Sequence, residues 1–286
     1  MKKNIIKIPI ILFIFSHSYA FLSDFKYYPQ ELIDLVENSS ESSSPQIKDK
    51  LFEVLDGIHI KNDNSQDEIV KECSDNQKCY SQRRDMSYKQ ARKYMFGDIY
   101  LRKTQSGSYF IVDKYCKKSY GKSAGVGPMR IPNHQLINCE HTWPQSRFSK
   151  RFSKSLQKND LHHLYPVNSR ANSTRGNIIF GEVNGDVISK DCQSSSRGTI
   201  DYKNSTTKSF EPPVEHRGNI ARALFYFSIR YKLSISDEEE FYLRRWHRED
   251  PVDNDERQSN QKIFLIQKNR NPFIDQPSLV SQVGDF

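Results

Sequence analysis

Asn138-Cys139-Glu140-His141-Thr142-Trp143-Pro144, Asp160-Leu161-His162-His163 and Asn172-Ser173-Thr174-Arg175-Gly176-Asn177 gather a carboxylate, imidazoles, an amide and a guanidinium into one short span. Leu136 to Glu140 reads as a strand that delivers Glu140 and His141 to its end. Upstream, Gly121 to Pro132 is a loop, rich in Gly and Pro, and Tyr109 to Val112 is a strand. Downstream, Asn177 to Val183 reads as a second candidate strand, closed by an Asn184-Gly185 turn. The last third is helical. His216 to Leu233 carries Ile220, Leu224, Phe227 and Tyr231 at helical spacing. Ser236 opens a capping box with Glu239, and Asp250-Pro251 starts a third helix that runs to about Lys268 and stops at Asn271-Pro272. Nearer the N-terminus, Ile47 to Ile58 reads as a helix with Leu51, Val54, Leu55 and Ile58 on one face. Asn62 to Asp85 reads as a polar loop, and Tyr88 to Phe96 as a short helix ended by Gly97. Short strands followed by a helical third predict an α+β fold in a single domain. There is no internal repeat and no second core beyond a linker.

The charge is concentrated on this span. Between Lys114 and Lys158 stand ten Lys or Arg and one acid, Glu140, a local charge of +9 against +8 for all 286 residues. The chain has 15 Tyr and 17 Phe, which excludes the aromatic-poor composition of a disordered protein. A basic patch on an otherwise near-neutral chain points to a polyanionic partner. Lys117, Lys118, Lys122, Arg130, Lys150 and Lys154 are its candidate nucleic-acid contacts.

Lys2 and Lys3 precede an apolar run from Ile5 to Phe15, and Ser18-Tyr19-Ala20 places small residues at −3 and −1. This is the layout of a signal peptide, residues 1–20, cleaved after Ala20. A run that short cannot span about 30 Å of hydrocarbon, and no later segment is apolar enough to do so. The expectation is therefore an exported protein, periplasmic or extracellular, with no stable membrane association. Removing Lys2, Lys3 and Lys7 lowers the charge to +5, which leaves everything outside residues 114–158 slightly acidic. Export permits disulfides. Of the five cysteines, Cys73 and Cys79 suit a short local loop, and Cys139 and Cys192 suit a brace for the site, but an odd count leaves one over. Residues 21–46, with the Ser-rich stretch Glu37 to Pro45, read as a flexible segment. Residues 47–277 are the expected domain and 278–286 a tail; a monomer is expected.

Hydrolysing a phosphodiester near neutral pH requires a base for water, neutralisation of charge on the phosphoryl oxygens, and stabilisation of the leaving alkoxide. Histidine suits the first task. A hard divalent cation suits the other two. Mg²⁺ keeps several waters and needs only one or two protein oxygens; Glu140 and Asn172 supply a carboxylate and an amide oxygen. Arginine grips phosphate in a bidentate fork. A Glu-His pair by itself is more often an ordinary surface or core feature, and Asp160 to His163 fits a loop whose histidines only hydrogen-bond. HExxH spacing and C-x-x-C pairs, the marks of zinc sites, are absent.

The runs NCEHTWPQS and DLHHLYPVNSRANSTRGN resemble the active region of the bacterial endonuclease I family of secreted and periplasmic nucleases. The resemblance continues through Phe210-Glu211-Pro212-Pro213, Gly218 to Ala223, Asp250-Pro251-Val252-Asp253 and Asn269 to Phe273. It implies a mixed α and β fold built around a ββα-metal (His-Me) finger. His141 would be the general base and Glu140 and Asn172 the ligands of one Mg²⁺, for which Mn²⁺ or Ca²⁺ could substitute. It also implies an arginine on the scissile phosphate, for which Arg147 and Arg151 are both candidates. Arg175 is a supporting residue that would brace the finger or form a structural salt bridge; Asp160 and His162 are supporting residues too, and His163 is less defined. The implied activity is sequence-nonspecific cleavage of DNA and RNA to 5′-phosphate and 3′-hydroxyl ends. An RNA-restricted enzyme and a non-catalytic nucleic-acid binder are the alternatives.

Overall fold

The computed structural model describes residues 21–39 and 45–286. The expected signal peptide and residues 40–44 of the Ser-rich stretch lie outside them. Helix α1 (Gln30–Asn38) buries Leu32, Ile33 and Val36, and α2 (Pro45–Asp56) buries Ile47, Leu51, Val54 and Leu55. These residues join Leu22, Tyr27 and Tyr28 in the main core. The expected flexible segment is thus packed over residues 21–39. Tyr28 has no exposed surface and donates to Asp275 Oδ2 at 2.6 Å. Burying a large apolar side chain contributes about 1.5–3 kcal/mol, so six such residues outweigh the polar character of their neighbours.

Strands β1 (Ile58–Ile60), β2 (Glu68–Val70) and β3 (Cys79–Tyr80) form an antiparallel sheet of order β2-β1-β3. Two of its short strands, β2 and β3, fall within the loop expected over Asn62 to Asp85, most of which stays irregular. Its connection is tied by the Cys73–Cys79 disulfide. Helix α3 (Tyr88–Tyr94) is held by a Ser87/Gln90 capping box. It does not stop at Gly97 but runs on through a π-helical turn, Met95–Ile99. The glycine serves close approach instead: a Cβ there would stand 2.3 Å from the Met129 nitrogen.

A three-stranded meander of β4 (Arg102–Lys103), β5 (Tyr109–Val112) and β6 (Ser119–Tyr120) leads to β7 (Ile137–His141). After a long loop that carries α4 (Lys154–Asn159), β8 (Leu164–Asn168) pairs antiparallel with β7, setting His141 opposite Leu164. Helix α5 (Ser169–Arg175) follows at once, capped by the Asn168 side chain. Next come β9 (Ile179–Phe180), β10 (Asn184–Ser189), β11 (Cys192–Tyr202) and β12 (Ser205–Glu211), in the sheet order β10-β11-β12-β9. Asn184-Gly185 opens β10 and is not a turn. The positive-φ pair between β11 and β12 is Lys203 and Asn204, at +47° and +67°, the backbone a tight hairpin demands.

Helix α6 (Val214–Tyr231) is buried on nearly every side and forms the centre of the main core. Around it stand α7 (Asp237–Glu249), α8 (Asn254–Gln267), α9 (Pro272–Asp275) and α10 (Leu279–Gln282). Ser236 Oγ accepts from the Glu239 N–H, but the Glu239 carboxylate is taken up elsewhere, so the capping box is one-sided. Helix α8 begins at Asn254, later than Pro251, because Asp253 accepts from the Glu256 N–H. The expected tail is also packed: Leu279, Val280, Val283 and Phe286 are buried, and Phe286 stacks on Phe225. With 43% helix and 20% strand the fold is α+β, as its sequence predicts.

Candidate active site

Strand β7 alternates faces. Cys139 and His141 face Tyr88 and the second apolar cluster, whereas Glu140 faces Tyr115 and α5. Glu140 is buried; Oε1 accepts from Tyr115 Oη at 2.8 Å and lies 3.3 Å from Arg175 Nη1. Burial raises its pKa, opposed by Arg175 and by the Tyr115 hydroxyl. Asn172 and Arg175 are three apart on α5 and so share a helix face. That face lies along β7: Asn172 Nδ2 points to the Cys139 carbonyl at 3.5 Å, beside the Arg175–Glu140 contact.

His141 is anchored at one nitrogen. Nε2 lies 3.0 Å from the Lys158 carbonyl, which can only accept, so Nε2 carries the proton and Nδ1 keeps its lone pair. Nδ1 faces Gln145 Nε2 at 3.4 Å. Burial, with help from Lys158 and Arg175, pushes the His141 pKa down to about 4. The sequence predicts a histidine titrating near neutrality; the structure holds a neutral base over the whole neutral range.

The three arginines separate. Arg175 is 1% exposed and reaches Glu140 and the carbonyls of His141, Thr142 and Gly176. It is a brace. Arg147 is paired with the buried Glu239 at 3.1 Å and lies over the Trp143 ring. Arg151 is exposed and, among the described residues, has no ion pair.

Asp160 is buried and accepts five hydrogen bonds, from the His162 N–H, Gln82, Tyr226, Tyr231 and Gln267. It ties the loop after α4 to α6 and α8 and points no free oxygen at the site. His162 lies against Tyr226, with Nε2 on the Asn269 carbonyl. His163 is buried behind His141, their rings 5.4 Å apart, and burial pushes its pKa down to about 3. Of the basic candidates, Lys117 pairs with Glu215 and Lys118 lies 3.9 Å from Asp191. Lys122 and Arg130 border one open cavity of about 920 Å³. Lys150 and Lys154 are exposed.

Sequence reasoning missed Tyr115, the Lys158 carbonyl and Gln145. Of the two expected cysteine pairings, Cys73–Cys79 forms, but Cys192 bonds Cys116 in place of Cys139, which is a buried free thiol. Cys139 lies in β7 with its side chain in the second cluster, away from Cys192, which stands against the Tyr115 carbonyl.

The donor set fits a hard cation held by few protein ligands. Donation by Asn172 Nδ2 to a carbonyl leaves Oδ1 for another partner, and Glu140 adds a buried carboxylate. Among the described residues no group of three or more His, Cys, Asp or Glu is gathered as a metal cluster.

The family model described as Endonuclease I matches residues 66–278. This chain belongs to the endonuclease I family. The match takes in every candidate site residue and leaves out α1, α2, β1 and α10. Among curated relatives, the chain is 32% identical over 164 residues to an extracellular ribonuclease of Bacillus subtilis (strain 168), covering 51% of this chain and 53% of that protein. It is 30% identical over 142 residues to an extracellular deoxyribonuclease of Aeromonas hydrophila, covering 50% and 59%. It is 32% identical over 147 residues to Endonuclease-1 of Buchnera aphidicola subsp. Acyrthosiphon pisum, covering 50% and 56%. The chain thus spans little more than half the length of the curated relatives it matches. Among the described residues no helix is long and apolar enough to cross a membrane.

Proposed function

We propose that this chain is an exported, Mg²⁺-dependent endonuclease that hydrolyses DNA and RNA with little sequence preference. The observation that carries the reading is His141: buried, neutral, its tautomer set by the Lys158 carbonyl, with an unprotonated Nδ1 that water would reach by displacing the long 3.4 Å contact from Gln145 Nε2. Glu140 and Asn172 would hold the cation. When bound, the cation supplies Lewis-acid stabilisation of charge on the phosphoryl and leaving oxygens. Arg175 and Tyr115 fix the Glu140 carboxylate before substrate arrives. Arg151, the unpaired one of the two candidate arginines, is the residue we assign to the scissile phosphate. Because water attacks, no step requires a ribose 2′-hydroxyl, and the products carry 5′-phosphate and 3′-hydroxyl ends. Relatives named for extracellular or periplasmic nucleases support export of this one.

Two Bacillus relatives are named extracellular ribonucleases, which favours RNA restriction as the second reading. End-labelled single-stranded DNA, duplex DNA and RNA, incubated side by side with Mg²⁺ or EDTA, decide between the two. The expected result is cleavage of all three with Mg²⁺ and none in EDTA. Cleavage of RNA alone would establish the second reading, and full activity in EDTA would remove the cation from the mechanism.

A further inference from the structure

A cavity of about 560 Å³ opens where the N-terminal segment meets the β1–β3 sheet and the end of α8. No candidate active-site residue lines it. Roughly half its wall, including Phe25, Lys26, Tyr27 and Lys61, lies outside the region matched by the family model. Five cationic side chains and two acidic ones border it. Of the acids, Asp67 is buried and occupied by Tyr80 and His59, which leaves Asp24 alone facing water.

Three of the cations converge. Lys61 and Lys78 each lie within 4 Å of Asp63, at 3.7 and 3.6 Å, and Lys26 donates to the Asp63 carbonyl. The Asp63 carboxylate thus faces two ammonium groups, and a third sits on the backbone carbonyl of the same residue. Like charges held together this way favour a bound polyanion. The wall also carries four aromatic side chains, Phe25, Tyr27, Tyr80 and Phe264, beside Asn62, Cys79 and Gln261. Phe264 and Tyr80 lie with ring centroids 6.3 Å apart, and the Arg270 guanidinium lies 4.2 Å over Phe25 and 5.3 Å from Phe264. Aromatic faces beside a lysine-lined edge are the components with which proteins hold single-stranded nucleic acid: bases stack, and phosphates meet the cations. The volume suits a nucleotide-sized ligand.

We infer that this groove is a second binding site for single-stranded nucleic acid, which holds the strand outside the catalytic site. The inference takes its substrate class from the nuclease reading but stands on a separate set of residues. Its test uses the chain with His141→Ala, so that strands bind without being cut. The triple variant Lys26→Gln, Lys61→Gln, Lys78→Gln changes exposed side chains only. Fluorescence anisotropy with a labelled 12-nucleotide strand is expected to show binding roughly tenfold weaker in 0.1 M salt, and a log–log salt slope shallower by about 2, three phosphate contacts at about 0.7 each. The unmutated groove is expected to bind this strand several-fold more tightly than an abasic one, since stacking needs the bases. With His141 intact, the triple variant is expected to hydrolyse bis-p-nitrophenyl phosphate, too small to reach the groove, at the parent rate. An unchanged affinity and slope would overturn the site. So would equal affinity for the abasic strand, or a loss confined to phosphatidylglycerol vesicles. A parent that cuts nothing but shows these binding differences would refute the nuclease reading and leave the groove standing.

Discussion

Replacing Arg175 by Met keeps the aliphatic stem and removes the guanidinium. The Glu140 carboxylate, 3% exposed, would lose its cation and keep only the Tyr115 hydroxyl. The carbonyls of His141, Thr142 and Gly176 would lose their donors, and Phe180 the cation above its ring. Removing one partner of a buried ion pair costs about 3–5 kcal/mol, because the other charge is left uncompensated. With a urea m-value of about 2.5 kcal/mol/M, the unfolding midpoint should fall by roughly 1–2 M. Arg175→Lys should recover part of this, since an ammonium lacks the planar fork that reaches several acceptors at once. The assay is urea denaturation followed by circular dichroism, with cleavage measured on the same samples well below the transition. Stability and turnover should fall together. An unchanged midpoint with lost turnover would make Arg175 a phosphate clamp and refute the brace.

The other arginines should behave differently from Arg175 and from each other. Arg151→Ala is expected to lower kcat/KM at least tenfold with no change in Tm, whereas Arg147→Ala should lower Tm by leaving the buried Glu239 unpaired; the reverse pattern would exchange their roles. Stability should also depend on pH through His163, His216 and His247, whose pKa values burial holds at about 3. Their folded values lie below the unfolded value of about 6.5, so their contribution is complete above that pH and is lost as pH falls towards 3. At pH 5 each should cost roughly 2 kcal/mol relative to pH 8, or about 1.4 kcal/mol per pH unit over 1.5 units. Thermal melts at pH 8, 7, 6 and 5 check this, and a flat Tm would contradict it.

The site was legible where chemistry and register are local. The strand carrying Glu140 and His141 and the helical third follow from periodicity and caps within a few residues, whereas the short helix that carries Asn172 was not read. What was not legible depends on partners distant in the chain. Tyr115 lies 25 residues before the Glu140 it holds, and Cys116 is 76 residues from its partner. The packing of residues 21–39 rests on one face of a nine-residue helix next to a Ser-rich stretch, too short for periodicity to outweigh composition. Gly97 has the composition of a helix stop, yet its lack of a side chain admits the Met129 backbone, a contact that only the fold reveals. The pKa of His141 belongs to the same class: the residue type suggests neutrality, and burial sets it at about 4.

The most direct test of the central claim is the single-turnover cleavage rate of a labelled single strand by the parent chain and by His141→Ala, with Mg²⁺ at pH 7.5. Loss of a positioned general base predicts a rate at least about 100-fold lower, measured under conditions where circular dichroism shows the variant fully folded. A His141→Ala chain that cuts at the parent rate would contradict the account.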